Sequence, residues 1–453
     1  MSSAQIVRLL DPLFTTDQAR AVFSDRGRLQ GMLDFEAALA HALMRAGVAP
    51  SGVAPAIQAQ CKAEFFAMDT LAREAGLAGN LAIPLVKALT AAVAKSDEKA
   101  AGFVHWGATS QDAIDTGLVL QLRHAFDLVT RQLADLSDAL ARVTEAHRTT
   151  LLAGRTWLQQ ASPITFGLKT AGWLDAVNRD RARVAAARKR ALVLQFGGAV
   201  GTLAALGEQG PAVARALAEE LKLELPSLPW HTHRDRLAEV AATLGMLVGT
   251  LGKIARDVSL MAQTEVGEAL EPSAPGKGGS STLPHKRNPV GSAVVLAAAI
   301  RVPALVSTML AAMVQEQERG LGGWHAEWET LPEIFLLAAG ALSHTMEIVD
   351  GLEVHEEKMT HNLAATHGLI LAEAVAIALA KHLGKLPAHH LIERAASKAL
   401  ESGRSLRDVL LEDKQVREHL SETEINKLLD PKNYTGSAES MIDQVLADHK
   451  KLR

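Results

Sequence analysis

Ser280, Ser281, Lys286 and Asn288 lie close together in one segment, EPSAPGKGGSSTLPHKRNP, which runs from Glu271 to Pro289. A reaction through a carbanion beside a carboxylate needs a base for the carbon proton, a cation, and amide donors to hold the dianionic, enolate-like form. Serine, lysine and asparagine supply these. A serine serves as that base only where a cationic, water-poor site lowers its pKa, so the segment has to close over its substrate. Its three glycines permit such movement, and its four prolines exclude a helix, so 271–289 reads as a loop between two helical stretches. A disordered linker would share part of this composition. The dense Ser, Lys and Asn run leading straight into an apolar helix favours function. The GxxxxGK[ST] spacing of a phosphate-binding loop is absent.

A second cluster, HWGATSQDAIDT, runs from His105 to Thr116. Thr109 followed by Asp112 has the spacing of a capping box, and a capped helix alone would account for it. The same helix end would also offer free N–H groups and a Ser110 hydroxyl to a carboxylate. Asp112 and Asp115 read as groups that orient this turn. A third stretch, GRTWLQQASPITFG, places Thr156, Gln159 and Gln160 between two apparent helices, either as uncharged binding groups or as an ordinary polar connection. Most of the histidines stand singly on helices, where a structural role is the commoner one. His105, beside the Trp106–Gly107 turn, is the exception we promote. His231 and His233 form an HxH pair without a third ligand at a suitable spacing, so no metal site is assigned.

Long helices are needed to position these clusters. Leu122, Phe126, Val129, Leu133, Leu136, Leu140 and Val143 follow alternating steps of four and three. Leu237, Val240, Leu244, Leu247, Leu251, Ile254, Val258 and Met261 repeat the rhythm over a helix of roughly 35–40 Å. Helices of that length, with Gly245, Gly249 and Gly252 inside one of them, need neighbours along their whole extent. Further helices are expected from Ser162 to Val193, opening at Pro163, and near 290–314 and 331–348. Shorter helices at the two ends are broken at Pro50, Pro55 and Pro84, and again at Gly384, Pro387 and Pro431. No useful period-2 strand series and no solenoid repeat stand out. The expected fold is all-α in three helical regions. These are an N-terminal region 1–110, a central bundle of long helices 111–355 carrying the loop 271–289, and a C-terminal region 356–453.

Composition agrees and excludes much else. Of 453 residues, 48% are apolar but only 4% aromatic, which favours helix formers over strand formers. A net charge of −4, from 47 basic and 51 acidic residues, leaves no basic face for nucleic acid. Cys61 is the only cysteine, which rules out an intrachain disulfide or a thiolate metal cage and fits a reducing compartment. The N-terminal stretch does not read as a signal peptide, and the charge-free run Ala191–Gly207 falls short of a membrane span. The expected setting is cytoplasmic, with no membrane partner.

The three clusters, in this order and separated by long helices, resemble the three signature regions of the fumarase/aspartase superfamily. GSSTLPHKRNP is similar to its GSSxMPxKxNP motif, and HWGATSQDAIDT resembles the first region of its cycloisomerase and adenylosuccinate lyase branches. The resemblance implies a homotetramer with twenty central helices and active sites shared by three subunits. It also implies roles: Ser280 as carbon-proton base, Lys286 and Asn288 on substrate carboxylates, and Thr109, Ser110, Ser281, Thr156 and Gln159 as binding contacts. His105 matches a histidine of the adenylosuccinate lyase branch, and Arg319 and His325, in ERGLGGWH, fall in another substrate-side segment. Three positions depart from the pattern: Trp157 replaces a histidine, Leu283 a methionine and Ala293 a glutamate. In many relatives that histidine assists proton transfer to the leaving group, whereas a carboxylate leaving group needs no proton. Trp157 thus joins the substrate-binding set and points to the cycloisomerase branch, in which a substrate carboxylate adds to a double bond to give a lactone. The implied ligand is a small-molecule tricarboxylate, with no cofactor. The alternatives are a fumarate-releasing enzyme like adenylosuccinate lyase, or an inactive structural protein on the same scaffold.

Overall fold

The computed structural model describes residues 8–279 and 282–452. It is 69% helix and 4% strand, so the fold is all-α as expected. The described residues form two compact units. The first contains 8–134, 180–252 and 294–343; the second contains 135–179, 253–279, 282–293 and 344–452. The boundaries fall inside the helices Ser110–Ala146, Phe166–Ala191, Asp235–Met261, Val290–Ala311 and Gly323–Asp350. Because each of these contributes residues to both units, neither unit is one of the three consecutive regions read from the sequence.

The heptad positions are where the apolar burial lies. All eight positions from Leu237 to Met261 are buried, as are Leu122, Phe126, Val129, Leu133, Leu136 and Leu140. The glycines of the Asp235–Met261 helix are not all alike. A Cβ on Gly252 would lie 2.8 Å from the Ala299 Cβ, and one on Gly245 would lie 3.0 Å from Val306, so at these two the Val290–Ala311 helix packs close. Gly249 faces open space. Val290–Ala311 and Asp235–Met261 are long and apolar enough, by length and composition, to cross a membrane; 61% of the most apolar window of Asp235–Met261 is buried, but only 22% of that of Val290–Ala311.

Three expectations need correction. Leu151–Thr156 and Gln159–Thr165 form an antiparallel hairpin, with a bulge between Ala153 and Arg155, where no strand was expected. The helix expected from Ser162 and Pro163 starts at Phe166, because Pro163 pairs with Ala153 inside the second strand. Pro84 and Pro387 do not end helices either. Each lies in the first turn of one, Ala82–Ala94 and Lys385–Ser402, where its missing N–H has no partner to lose.

Candidate active site

In the first unit, the Ser110–Ala146 helix begins one residue after Thr109, whose backbone N–H donates to Asp112 Oδ2 at 3.0 Å. Asp112 is completely buried. Its Oδ1 accepts from Gln195 Nε2, the Gly197 N–H and His231 Nε2, and its Oδ2 also accepts from the Gly198 N–H, all within 2.9–3.1 Å. Five donors hold this carboxylate charge in place, so Asp112 organises the turn and has no lone pair to spare for proton transfer. One of the five comes from the HxH pair, since His231 is buried against Asp112 while His233 is exposed.

His105 precedes this turn at a left-handed φ of +60° and meets Glu36 from the Asp25–Arg45 helix, with Nδ1 2.6 Å from Oε1. Burial alone would lower the imidazole pKa. The charge and hydrogen bond of Glu36, together with the Asp112 charge, outweigh it and hold the ring above its ordinary value. Arg319 is brought to the same helix start: its Nη1 donates to Gln111 Oε1 at 2.9 Å and its Nη2 to the Ala199 carbonyl at 2.7 Å. Gln111 donates in turn to Asp115 at 3.0 Å, and Asp115 and Glu327 clamp the buried Arg234 guanidinium from both sides. Arg234 also stacks over the Trp230 ring. Thr109 and Ser110 are half-buried at the helix start, and His325 is exposed and packed against Trp324 and Trp328.

The second unit carries the hairpin and the loop. Thr156 and Gln159 pair across the hairpin turn, and Trp157 and Leu158 form its tip at φ +52° and +66°, exposed by 95% and 80%. Two residues at positive φ are the pattern of a primed hairpin turn, here built without glycine or asparagine. At the hairpin base, Arg155 makes a two-pronged contact with the fully buried Glu268, which precedes the Ala269–Leu270 strand. That strand pairs with Glu353–Val354, and Glu353 holds Arg287 of the loop through two hydrogen bonds of 2.8 and 2.9 Å. A continuous scaffold therefore joins the hairpin to the loop. At the end of the loop, Glu271 accepts the N–H groups of Gly291 and Ser292 and so caps the Val290–Ala311 helix. The Asn288 N–H donates to the Gly278 carbonyl at 2.8 Å, and the Lys286 side chain is exposed. Ser280 and Ser281 lie outside the described residues.

The sequence-derived residues thus fall into two sets, one in each unit: His105, Thr109, Ser110, Arg319 and His325 in the first, and Thr156, Trp157, Gln159, Lys286 and Asn288 in the second. Glu36, Gln111, Arg155 and Glu268 support these sets, and sequence reading passed over them. Gln111 lies inside the first cluster and was open to notice, whereas Glu36 is 69 positions from His105 and carries no local signal. Lys169 was also missed. Burial holds its ammonium below the ordinary lysine pKa; the charges of Lys253 and Arg155 add to this, while those of Asp257 and Glu268 oppose it.

The lyase family model matches residues 13–304, and that of the adenylosuccinate lyase C-terminus matches residues 368–445. With its all-helical fold and GSSTLPHKRNP loop, the chain belongs to this lyase family, the fumarase/aspartase superfamily. It is 56% identical over 452 residues to 3-carboxy-cis,cis-muconate cycloisomerase of Pseudomonas aeruginosa, across 100% of this chain and 98% of that one. It also resembles the crystal structure of 3-carboxy-cis,cis-muconate lactonizing enzyme from Pseudomonas putida, with a TM-score of 0.94 and 53% identity over 98% of this chain and 99% of the other. For β-carboxy-cis,cis-muconate cycloisomerase from Acinetobacter calcoaceticus the TM-score is 0.92 and the identity 45%, over 97% and 100% of the two chains.

Proposed function

We propose that this enzyme converts 3-carboxy-cis,cis-muconate to 4-carboxymuconolactone in protocatechuate breakdown. The observation that carries the reading is the 56% identity to a cycloisomerase sustained from end to end of both chains. In the reaction a substrate carboxylate oxygen adds to a double bond, and the adjacent carbon takes up one proton as that carboxylate becomes a neutral ester. Lys286 and Asn288 hold the carboxylate on which negative charge accumulates, and Ser280 handles the carbon proton, acting as base in the reverse elimination. Thr109, Ser110, Ser281, Thr156, Gln159, Arg319 and His325 bind the tricarboxylate, with Trp157 at the hairpin tip and His105 as a cationic donor. No cofactor or metal enters the scheme.

The working form in this reading is a cytoplasmic homotetramer with shared active sites. The largely uncovered apolar surface of Val290–Ala311 supports it, since other copies of the chain would bury that face. With a net charge of −4 the surface does not suit nucleic acid, and neither nucleic acid nor membrane is a partner in this reading. The test follows ultraviolet absorbance when purified enzyme meets 3-carboxy-cis,cis-muconate, beside a Ser280→Ala variant. Rapid loss that the variant abolishes is the expected result. No loss with the unaltered enzyme would sink the reading and turn the search to fumarate release from succinyl substrates.

A further inference from the structure

The Glu36 side chain is 1% exposed; its Oε1 meets His105 Nδ1, while among the described residues no hydrogen-bond partner reaches its buried Oε2. A carboxylate taken out of water with one oxygen unsatisfied is stable only beside a cation or as the protonated acid. Other features restrict this pair to one geometry. On the Glu36 side, the Asp25–Arg45 helix lies backbone to backbone on the Ser110–Ala146 helix, since a Cβ on Gly31 would come within 2.6 Å of the Gly117 carbonyl oxygen. On the other side, His105 is fixed at a positive φ just before the turn that Asp112 anchors.

We propose that Glu36 is a positioning residue for His105: it takes the Nδ1–H, keeps the ring an imidazolium, and leaves Nε2–H as the donor for a carboxylate of the substrate. The last part rests on the cycloisomerase reading above. The charged groups acting on the ring are Glu36 and Asp112, and Asp112 is itself bonded to His231. Glu36 also faces Cys61, whose thiol is pushed up by burial first and by the carboxylates of Glu36 and Asp34 second, so it stays neutral. The imidazole is therefore the cation that answers the buried carboxylate. The family motif around His105 names the histidine alone; it is the fold that supplies its partner.

The experiment measures deuterium exchange at the C2–H of His105 by mass spectrometry across pH, in the full-length enzyme and in Glu36→Gln and Glu36→Asp. It records kcat and KM for lactonisation over the same range. Glu36→Gln is expected to lower the His105 midpoint by about one pH unit or more. Above the new midpoint KM rises more than kcat falls, and activity returns at lower pH. Glu36→Asp, which keeps the charge, is expected to retain most of the midpoint. An unmoved midpoint in Glu36→Gln overturns the proposal, and so does an equal loss of kcat/KM at every pH. If Glu36→Gln does not fold, the unaltered enzyme still decides, because a His105 midpoint at or below about 6.5 is incompatible with the pairing. Failure of the cycloisomerase reading would appear separately, as absence of lactonisation in the unaltered enzyme while the midpoint still reports on the pair.

Discussion

Arg155 and Glu268 form a two-pronged ion pair of 2.8 and 2.7 Å, with the glutamate completely buried. Asn362 Nδ2 donates a third hydrogen bond to the same carboxylate at 2.9 Å. Glu268→Gln would leave the Arg155 charge with half of its partner, and removing one member of such a pair costs about 3 kcal/mol. Thermal denaturation should show the loss as a lower Tm. Because the pair joins the hairpin to the strand leading into the loop, KM for the substrate should rise as well. An unchanged Tm would show that the hairpin is held by other means.

The hairpin tip stores strain. Trp157 and Leu158 both occupy left-handed backbone conformations, which for residues with a Cβ cost roughly 1–2 kcal/mol each. Replacing the pair by Asn–Gly, which suits this turn, should raise Tm. If strain is kept here for function, the same change lowers kcat/KM. A rise in both quantities would separate the tip from catalysis.

Gly252 and Gly249 offer a comparison within one helix. Alanine at Gly249 should stabilise by roughly 1 kcal/mol through helix propensity. At Gly252 the added Cβ meets Ala299 at 2.8 Å, and overpacking of about 1–3 kcal/mol outweighs that gain. Denaturation midpoints of the two variants should therefore move in opposite directions. A drop at Gly249 would mean that another copy of the chain covers this face.

The pair of Glu36 and His105 ties stability to pH. The folded enzyme holds the imidazole pKa above the unfolded value, so the stability from this pair is fully present below about pH 6.5 and is lost as pH rises through the raised value. The Tm difference between unaltered enzyme and Glu36→Gln should be largest at pH 5.5–6 and shrink towards pH 9. A difference that grows with pH would contradict the assigned charge.

The long helices were legible because burial repeats in step with the sequence: all eight heptad positions from Leu237 to Met261 are buried, while Met246, out of that step, is exposed. The loop was legible for the opposite reason, since proline and glycine break that period at Glu271–Pro289. The hairpin was hidden. Its turn carries Trp157 and Leu158 in place of the usual Asn–Gly, and the bulge after Ala153 upsets the inward and outward alternation of the first strand. Thr109 and Asp112 announced a helix start, but the donors from Gln195, Gly197, Gly198 and His231 come from the fold and leave no mark near them.

Those donors also bear on how the chain reaches its native state. Asp112 gathers hydrogen bonds from segments 83, 85, 86 and 119 positions away, so its shell cannot assemble while any of them is out of place. Helices form locally within about a microsecond, whereas contacts of such sequence separation await the slower search of the whole chain. Helical signal should therefore return early in refolding, and catalytic competence late and in a single step. A half-folded chain would look helical and turn over nothing.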